Sequence, residues 1–279
     1  MNSNKNTIVF QNKGKLSLID LTTMGDSSKR EDSTKIGKFD SGLKYAMAIL
    51  YRHDIKMTIT VSDNIRYGVF SKTITSEDTG KTKNIIVINK YVLSVCQYVS
   101  DEDDFLDIRT KEEPKWELSD TIETSFAVQL GHDWELWMAL RELYSNCLDE
   151  NGSVVDTDNV GKKDHTTIHL EGDALEPILN DWDKYFIGSD VQPILGKKED
   201  SFVKVYENTT DYLRLYKNGI LIHTDKARFS DYIYDYPSAS IDEMRVLNDM
   251  SDLEFRVGGE IGRNNNEEFT RRFLLSKDD

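Results

Sequence analysis

The sequence predicts an α+β fold: a mixed, mostly antiparallel sheet with helices on one face, followed by a C-terminal α+β extension. Three observations predict it. Residues 55–62 (IKMTITVS) and 65–74 (IRYGVFSKTI) are β-branched runs joined by the turn Asp63-Asn64, the pattern of a hairpin. Residues 42–53 and 133–150 carry apolar side chains at helical spacing. The chain has 279 residues and is 38% hydrophobic, enough to bury a real core.

In chain order, residues 7–10 (TIVF) read as a short strand that ends at the turn Asn12-Lys13-Gly14. Residues 16–24 fit a short helix, 25–35 a polar loop, and 42–53 an amphipathic helix. The hairpin follows, then a strand at 84–89, an acidic run at 100–104 and a loop containing Pro114. Residues 133–150 form the strongest helix, with Trp134, Trp137, Met138, Leu140, Tyr144, Cys147 and Leu148 in phase and Asn151-Gly152 as its stop. A strand at 166–170 precedes a helix over 174–187 with Pro177 in its first turn. Beyond it, strands are expected at 202–207 and 212–216, a hairpin at Asn218-Gly219, and a helix over 240–250. Two domains are expected, 1–187 and 188–279.

Charge and cysteine content narrow the function. Lys and Arg number 35 against 50 Asp and Glu, a net charge of −15, which repels nucleic acid and anionic lipid. Nucleic acid is therefore not the expected partner. Two cysteines, Cys96 and Cys147, fit a reducing cytoplasm and cannot build a disulfide scaffold or a four-cysteine zinc module. The first residues lack the apolar core of a signal peptide, and no apolar run is long enough to span a bilayer.

Three stretches carry the chemistry. Glu142, Asn146 and Asp149 sit at i, i+4 and i+7 of the strongest helix and share one face. A carboxylate beside a carboxamide can orient a water and ligate a hydrated Mg²⁺. The same stripe also fits the solvated face of an amphipathic helix. Gly37 and Gly42 stand five apart just before a helix, with Phe39 between them and Leu43 and Lys44 after; such a loop lets backbone N–H groups approach phosphates. It also fits an ordinary capped loop. It is not a P-loop, whose GxxxxGK[ST] spacing is absent. The third stretch, Asn12-Lys13-Gly14 with the downstream Ser27-Ser28-Lys29, reads alone as a plain turn and loop.

Together the three resemble the gyrase, heat-shock chaperone, histidine kinase and MutL (GHKL) superfamily of ATPases, the Bergerat fold. Glu142, Asn146 and Asp149 match its E-x-x-x-N-x-x-D box in full. Asn12-Lys13-Gly14 stands at its first glycine box, Gly25 to Lys29 at its lid, and Gly37 to Lys44 at its second glycine box. The resemblance covers roughly residues 7–62 and 133–170. The E-x-x-x-N box normally comes first; here it follows the glycine boxes by about a hundred residues, which looks like a circular permutation. Asn12 replaces the usual Asp, Leu16 the second glycine of the first box, and Asp40 a glycine of the second.

The resemblance implies an Mg²⁺-dependent ATP-binding protein and slow ATPase whose lid closure switches a protein interaction, similar to ATP-binding proteins of bacteriophage genomes. It implies Glu142 as general base, Asn146 as the Mg²⁺ ligand and Asp149 as a supporting residue. Asn12 would face the adenine and Gly14 shape that turn. Gly37, Phe39, Gly42, Leu43 and Lys44 would line the phosphates, and Ser27, Ser28 and Lys29 the lid. A homodimer and a host protein are the partners it suggests, in the host cytoplasm. The competing reading is an acidic interaction or inhibitor protein, independent of nucleotide, on a degenerate ATPase scaffold; Leu16, Asp40 and the charge of −15 favour it. Other features read as structural: His165 and His169, four apart on a strand, are ~13 Å from each other and too distant to share a metal. Trp134 and Trp137 read as anchors of a core or interface, Cys147 as buried packing, and Asp242, Glu243 and Arg245 as a surface stripe.

Overall fold

The computed structural model describes residues 6–23, 41–94, 115–156, 161–188, 190–197, 201–210, 212–242, 247–264 and 266–275. They form an α+β structure of two compact units, which divide after residue 179. No described helix is long and apolar enough to cross a membrane.

The first unit contains β1 (Thr7–Lys13), α1 (Leu18–Thr22), α2 (Ser41–Arg52), β2 (Lys56–Val61), β3 (Ile65–Thr75), β4 (Thr82–Ser94), β5 (Lys115–Ala127), α3 (Leu136–Asp149), β6 (Ser153–Val155) and β7 (His165–Glu171). A 3₁₀ turn (Asp173–Leu175) and α4 (Glu176–Asn180) follow. Its seven strands run β5-β4-β3-β2-β7-β1-β6, and every pairing is antiparallel. β1, the first strand of the chain, thus lies inside the sheet between β7 and β6.

Period-2 alternation sorts the side chains. In register, Ile8, Leu170 and Met57 form one buried row, and the buried Phe10 and Ile59 flank the half-buried Ile168 in the next. The Phe10 ring lies 6.0 Å from Tyr144 of α3, so these rows face the helices. The opposite face carries polar pairs such as Gln11, whose Nε2 donates to Thr167 Oγ1 at 3.0 Å. α2 and α3 pack against each other and over β1 and β2.

Both ends of α2 are fixed. At its C-terminus Arg52 donates to the carbonyls of Val128 (2.5 Å), Leu130 (2.7 Å) and Gly131 (2.8 Å), gathering the loop that leads into α3. In that loop Gly131 has φ +66°, and a Cβ there would meet Tyr45 at 2.6 Å. Only glycine fits on both counts. Tyr45 in turn packs on Trp134, ring centroids 4.8 Å apart. α3 ends as expected at Asn151-Gly152, with the roles divided. Asn151 takes the left-handed φ of 55°, while the Gly152 N–H donates to the Cys147 carbonyl at 2.8 Å.

The second unit contains α5 (Trp182–Tyr185), β8 (Lys204–Glu207), β9 (Leu213–Lys217), β10 (Ile220–Asp225), β11 (Tyr232–Asp235), α6 (Met250–Gly262) and α7 (Glu267–Leu275). Its sheet runs β10-β9-β11-β8, antiparallel except for the parallel pair β11 and β9. Leu253 and Val257 of α6 and Phe269 of α7 join its core with Leu213, Leu215 and Tyr232. Asp235 is buried at the end of β11, where its carboxylate accepts from the backbone of Asn218 and Gly219 in the β9–β10 turn. Burial raises its pKa above the ordinary 3.8, against the lowering effect of those bonds and of Lys204 and Lys217.

Several expectations need correction. The stretch expected as a loop after Pro114 is the long strand β5; its pattern is mostly polar because most of it is exposed, at the edge of the sheet formed by the described residues. The helix over 174–187 is broken into the 3₁₀ turn, α4 and α5. The described ends of the stretch expected as a helix over 240–250 are not helical: Ile241 and Leu247 pair as an antiparallel bridge, and α6 starts at Met250, where Asp249 caps the N–H groups of Ser251 and Asp252. α7 and the strands β6 and β11 went unrecognised, and Glu243 and Arg245 lie outside the described residues.

Two predictions follow from this packing. Replacing Arg52 with Leu leaves three carbonyls without their donor and lowers unfolding stability by roughly 2 kcal/mol in a denaturant titration. For Asp235, the folded state holds the proton more tightly than the unfolded chain. Its contribution to stability is therefore complete below about pH 3.8 and is lost as pH rises through the folded value. The melting temperature of Asp235→Asn, measured relative to wild type from pH 7 down to pH 4, should shift in favour of the wild type as pH falls.

Candidate functional site

The site is built on α3. Its Glu142-Asn146-Asp149 face is held between α2 and β1 rather than standing in solvent: Glu142 and Asp149 are buried, Asn146 half-buried. Glu142 is 2% exposed, and its Oε1 accepts from the adjacent Arg141 Nε at 3.2 Å. The Arg141 guanidinium lies 5.4 Å from the Trp134 ring and 5.3 Å from the Trp137 ring, so two indoles flank the ion pair. A carboxylate this deeply buried requires charge and hydrogen-bond partners, which a neighbouring arginine supplies without a distant segment.

The other carboxylate oxygen, Oε2, faces the first turn of α2. A methyl group placed on Gly42 would overlap it. A side chain here would have to push the carboxylate aside, and glycine lets the first turn of α2 approach it closely. Leu43 and Lys44 are buried in the same turn. Gly37, Phe39, Ser27, Ser28, Lys29 and Asp40 lie outside the described residues.

The third segment meets the other end of α3. The Cys147 thiol points at the carbonyls of Gln11 (3.5 Å) and Ser153 (3.6 Å), and burial pushes its pKa up to about 11. It is a packing group, not a nucleophile. A Cβ on Gly152 would come within 2.6 Å of both Asn12 Cβ and Cys147 Sγ. Asn12 therefore stands beside the C-terminal end of α3, half-buried, on the helix side of the sheet. Gly14 closes the turn with φ +113°, its N–H donating to the Asp164 carbonyl at 2.9 Å. Thr166 secures this turn: its hydroxyl donates to the Gly14 carbonyl and accepts from the Leu16 N–H, both at 2.9 Å.

Sequence reasoning missed Arg141, Gly152 and Thr166. Arg141 was visible as the residue before Glu142, but its partner was not. Gly152 was read as a helix stop, whereas its requirement is close packing. Thr166 acts through strand register, which one strand's sequence does not reveal.

His169 has its pKa lowered chiefly by burial. Among the described residues no group of three or more His, Cys, Asp or Glu side chains is placed to hold a metal ion. In the second unit, a cleft of about 380 Å³ is lined mainly by apolar residues of α6 and the sheet, with Arg228 and Glu254 3.9 Å apart among its lining. No family model matches the chain, and comparison with curated proteins and solved structures gives no significant match.

The contact between Gly42 and Glu142 makes a sign-reversing prediction. Gly42→Ala should destabilise the wild type by about 1–3 kcal/mol through overpacking. In a Glu142→Ala background, where the space is open, the same change should be neutral or stabilising, because alanine favours helix. A double-mutant cycle by denaturant unfolding measures both arms.

Proposed function

We propose that the first unit binds a nucleoside triphosphate together with Mg²⁺ in the manner of a circularly permuted GHKL ATPase, and hydrolyses it slowly. One observation carries this reading. Three segments far apart in sequence, Asn12-Gly14, Gly42-Lys44 and Glu142-Asp149, converge on one helix. Glycine contacts occur at Glu142 and at Cys147, five residues and ~7.5 Å apart along α3, and Asn12 stands beyond the second of these. On this reading the base would lie toward Asn12 and Gly14, and the phosphates toward the N-terminus of α2.

The residues fit such a ligand. α2 is twelve residues long, and the dipole at its N-terminus favours an anion, which would have to be a phosphate seated beside the Glu142 carboxylate that already faces this turn. Mg²⁺, when bound with the triphosphate, would neutralise the charge that develops on the phosphates; Asn146 Oδ1 is the group to hold it. Glu142 would take a proton from the attacking water. Its carboxylate is oriented by the Arg141 Nε bond. Asp149, buried one turn beyond Asn146, would support that end of the site.

The pairing of Glu142 with Arg141 at 2% exposure also favours a second reading, in which the ion pair is purely structural and the fold serves as an acidic interaction scaffold for a protein partner. Calorimetric titration with ATP, with and without Mg²⁺, separates the two. On the nucleotide reading, Mg²⁺-dependent binding is retained by Glu142→Ala and lost by Asn146→Ala, and Glu142→Ala lowers turnover by ~10²–10⁴. Wild-type hydrolysis by Glu142→Ala would remove the base assignment. Absence of binding at millimolar ATP would leave the scaffold reading.

A further inference from the structure

We propose that the face of the seven-stranded sheet turned away from α3 holds an anion site of its own, in which the Arg66 guanidinium receives a phosphate group. The inference is independent of the nucleotide reading above. Gln11, Thr167, Thr60, Arg66 and Tyr91 stand in register across β1, β7, β2, β3 and β4. Gln11 follows Phe10, whose ring faces Tyr144, so this row lies on the opposite side of the sheet.

Arg66 is half-buried, its guanidinium carbon 4.1 Å from the centre of the Trp116 ring. Its Nε is buried without an acceptor, and the guanidinium makes no hydrogen bond or ion pair with the described residues. Arg52 and Arg141, the other described arginines of this unit, have carbonyl and carboxylate partners. Burial lowers the Arg66 pKa below the ordinary 12.5, and no carboxylate opposes that effect. The neighbouring Thr60 is 1% exposed, and its hydroxyl also lacks a partner. The register places Glu171 and Glu123 on the same face, but each is four residues, ~13 Å, along a strand from this row. Both are engaged, by Lys56 at 3.9 Å and by Lys72 at 2.5 Å. Between them, burial lowers the His169 pKa, Glu171 opposes this, and the charges of Lys56 and Arg66 add to the lowering. A cation kept from water without an acceptor is costly, and an anion supplies what the fold omits. A phosphate has enough oxygens for the guanidinium fork and a hydroxyl together.

Full-length protein is titrated calorimetrically with inorganic phosphate, in chloride buffer of matched ionic strength without nucleotide or Mg²⁺. The expected dissociation constant is about 1 mM or below. Arg66→Met, which keeps a chain over Trp116, should weaken binding by about tenfold or more. Arg66→Lys keeps the charge without the planar fork and should weaken it about threefold or more. Asn146→Ala should leave it unchanged, which separates this site from the one on α3. Phenyl phosphate distinguishes the source of the group. A Cβ on Gly68, one row along, would meet the Phe70 ring at 2.8 Å and the Tyr91 ring at 3.5 Å, so both rings lie over that glycine. Tighter binding of the ester than of phosphate indicates an organic phosphate, and equal or weaker binding the free ion. No binding to wild type at 10-fold above the expected constant overturns the proposal, and that arm needs no variant to fold. Undiminished affinity in the Arg66 variants also overturns it, as does acetate binding as tightly as phosphate.

Discussion

The close packing of α2 against α3 is the constraint on which the first unit depends. α2 is held at both ends. Its last turn places Arg52 among three carbonyls of the loop that starts α3, and its first turn places Gly42 against the Glu142 carboxylate. These points are ten residues apart, ~15 Å of helix, so together they fix both the axial position and the rotation of α2. One contact alone would permit sliding or rolling. The apolar surface between them, including Ala46, Met47, Ile49 and Leu50, supplies nonspecific attraction. The polar and glycine contacts choose one alignment among the many that such surface allows.

That alignment has an electrostatic consequence. It buries Glu142, and a buried carboxylate needs compensation that does not itself disturb the helix. Arg141 meets this locally. Its Nε bonds the carboxylate, while the indoles of Trp137, one turn earlier, and Trp134, just before the helix, flank the guanidinium. The tryptophans are thus packing residues with an electrostatic duty. The second unit handles buried charge differently. Asp235 is anchored mainly by backbone N–H groups of a turn, and Lys217 by the carbonyls of Pro237 and Ala239 at 2.6 and 2.8 Å. Main-chain partners hold these charges to particular strands and turns, whereas the Arg141–Glu142 pair leaves one carboxylate oxygen directed at another helix.

What the sequence made legible follows the range of the interactions involved. α2, α3 and the β2–β3 hairpin are encoded by periodicity within a dozen residues, and they were read to within a few positions. β5 was not, because an edge strand with most of its length in water has no need of an apolar alternation. The stretch 240–250 carries helix-like spacing in Met244, Val246 and Leu247, yet Leu247 pairs with Ile241, since tertiary pairing outweighs weak propensity. At the site, the residue types of α3 were legible because a helix brings i, i+4 and i+7 together by itself. The contacts of Gly42 with Glu142 and of Gly152 with Asn12 join segments a hundred residues or more apart, and no local pattern encodes them.

Chain order is a weak constraint on a site of this kind, and the sheet shows why. α3 leaves through Asn151-Gly152 directly into β6, three residues long, whose partner is β1: Gln11 pairs with Ser153 and Phe10 with Val154. This short pairing delivers the end of β1, and with it Asn12, to the C-terminal end of α3. On the other side β2 pairs with β7, so α2, which leads into β2, is carried over the same strands. The three segments therefore meet because of strand adjacency and helix packing, both of which are properties of the folded arrangement. Neither depends on which segment is synthesised first. On the permuted nucleotide-binding reading proposed above, placing the Glu142 helix after the glycine segments would alter only connecting loops, whose closure costs grow slowly with length, while strand adjacency and helix packing would still bring a carboxylate, a carboxamide and a helix N-terminus together.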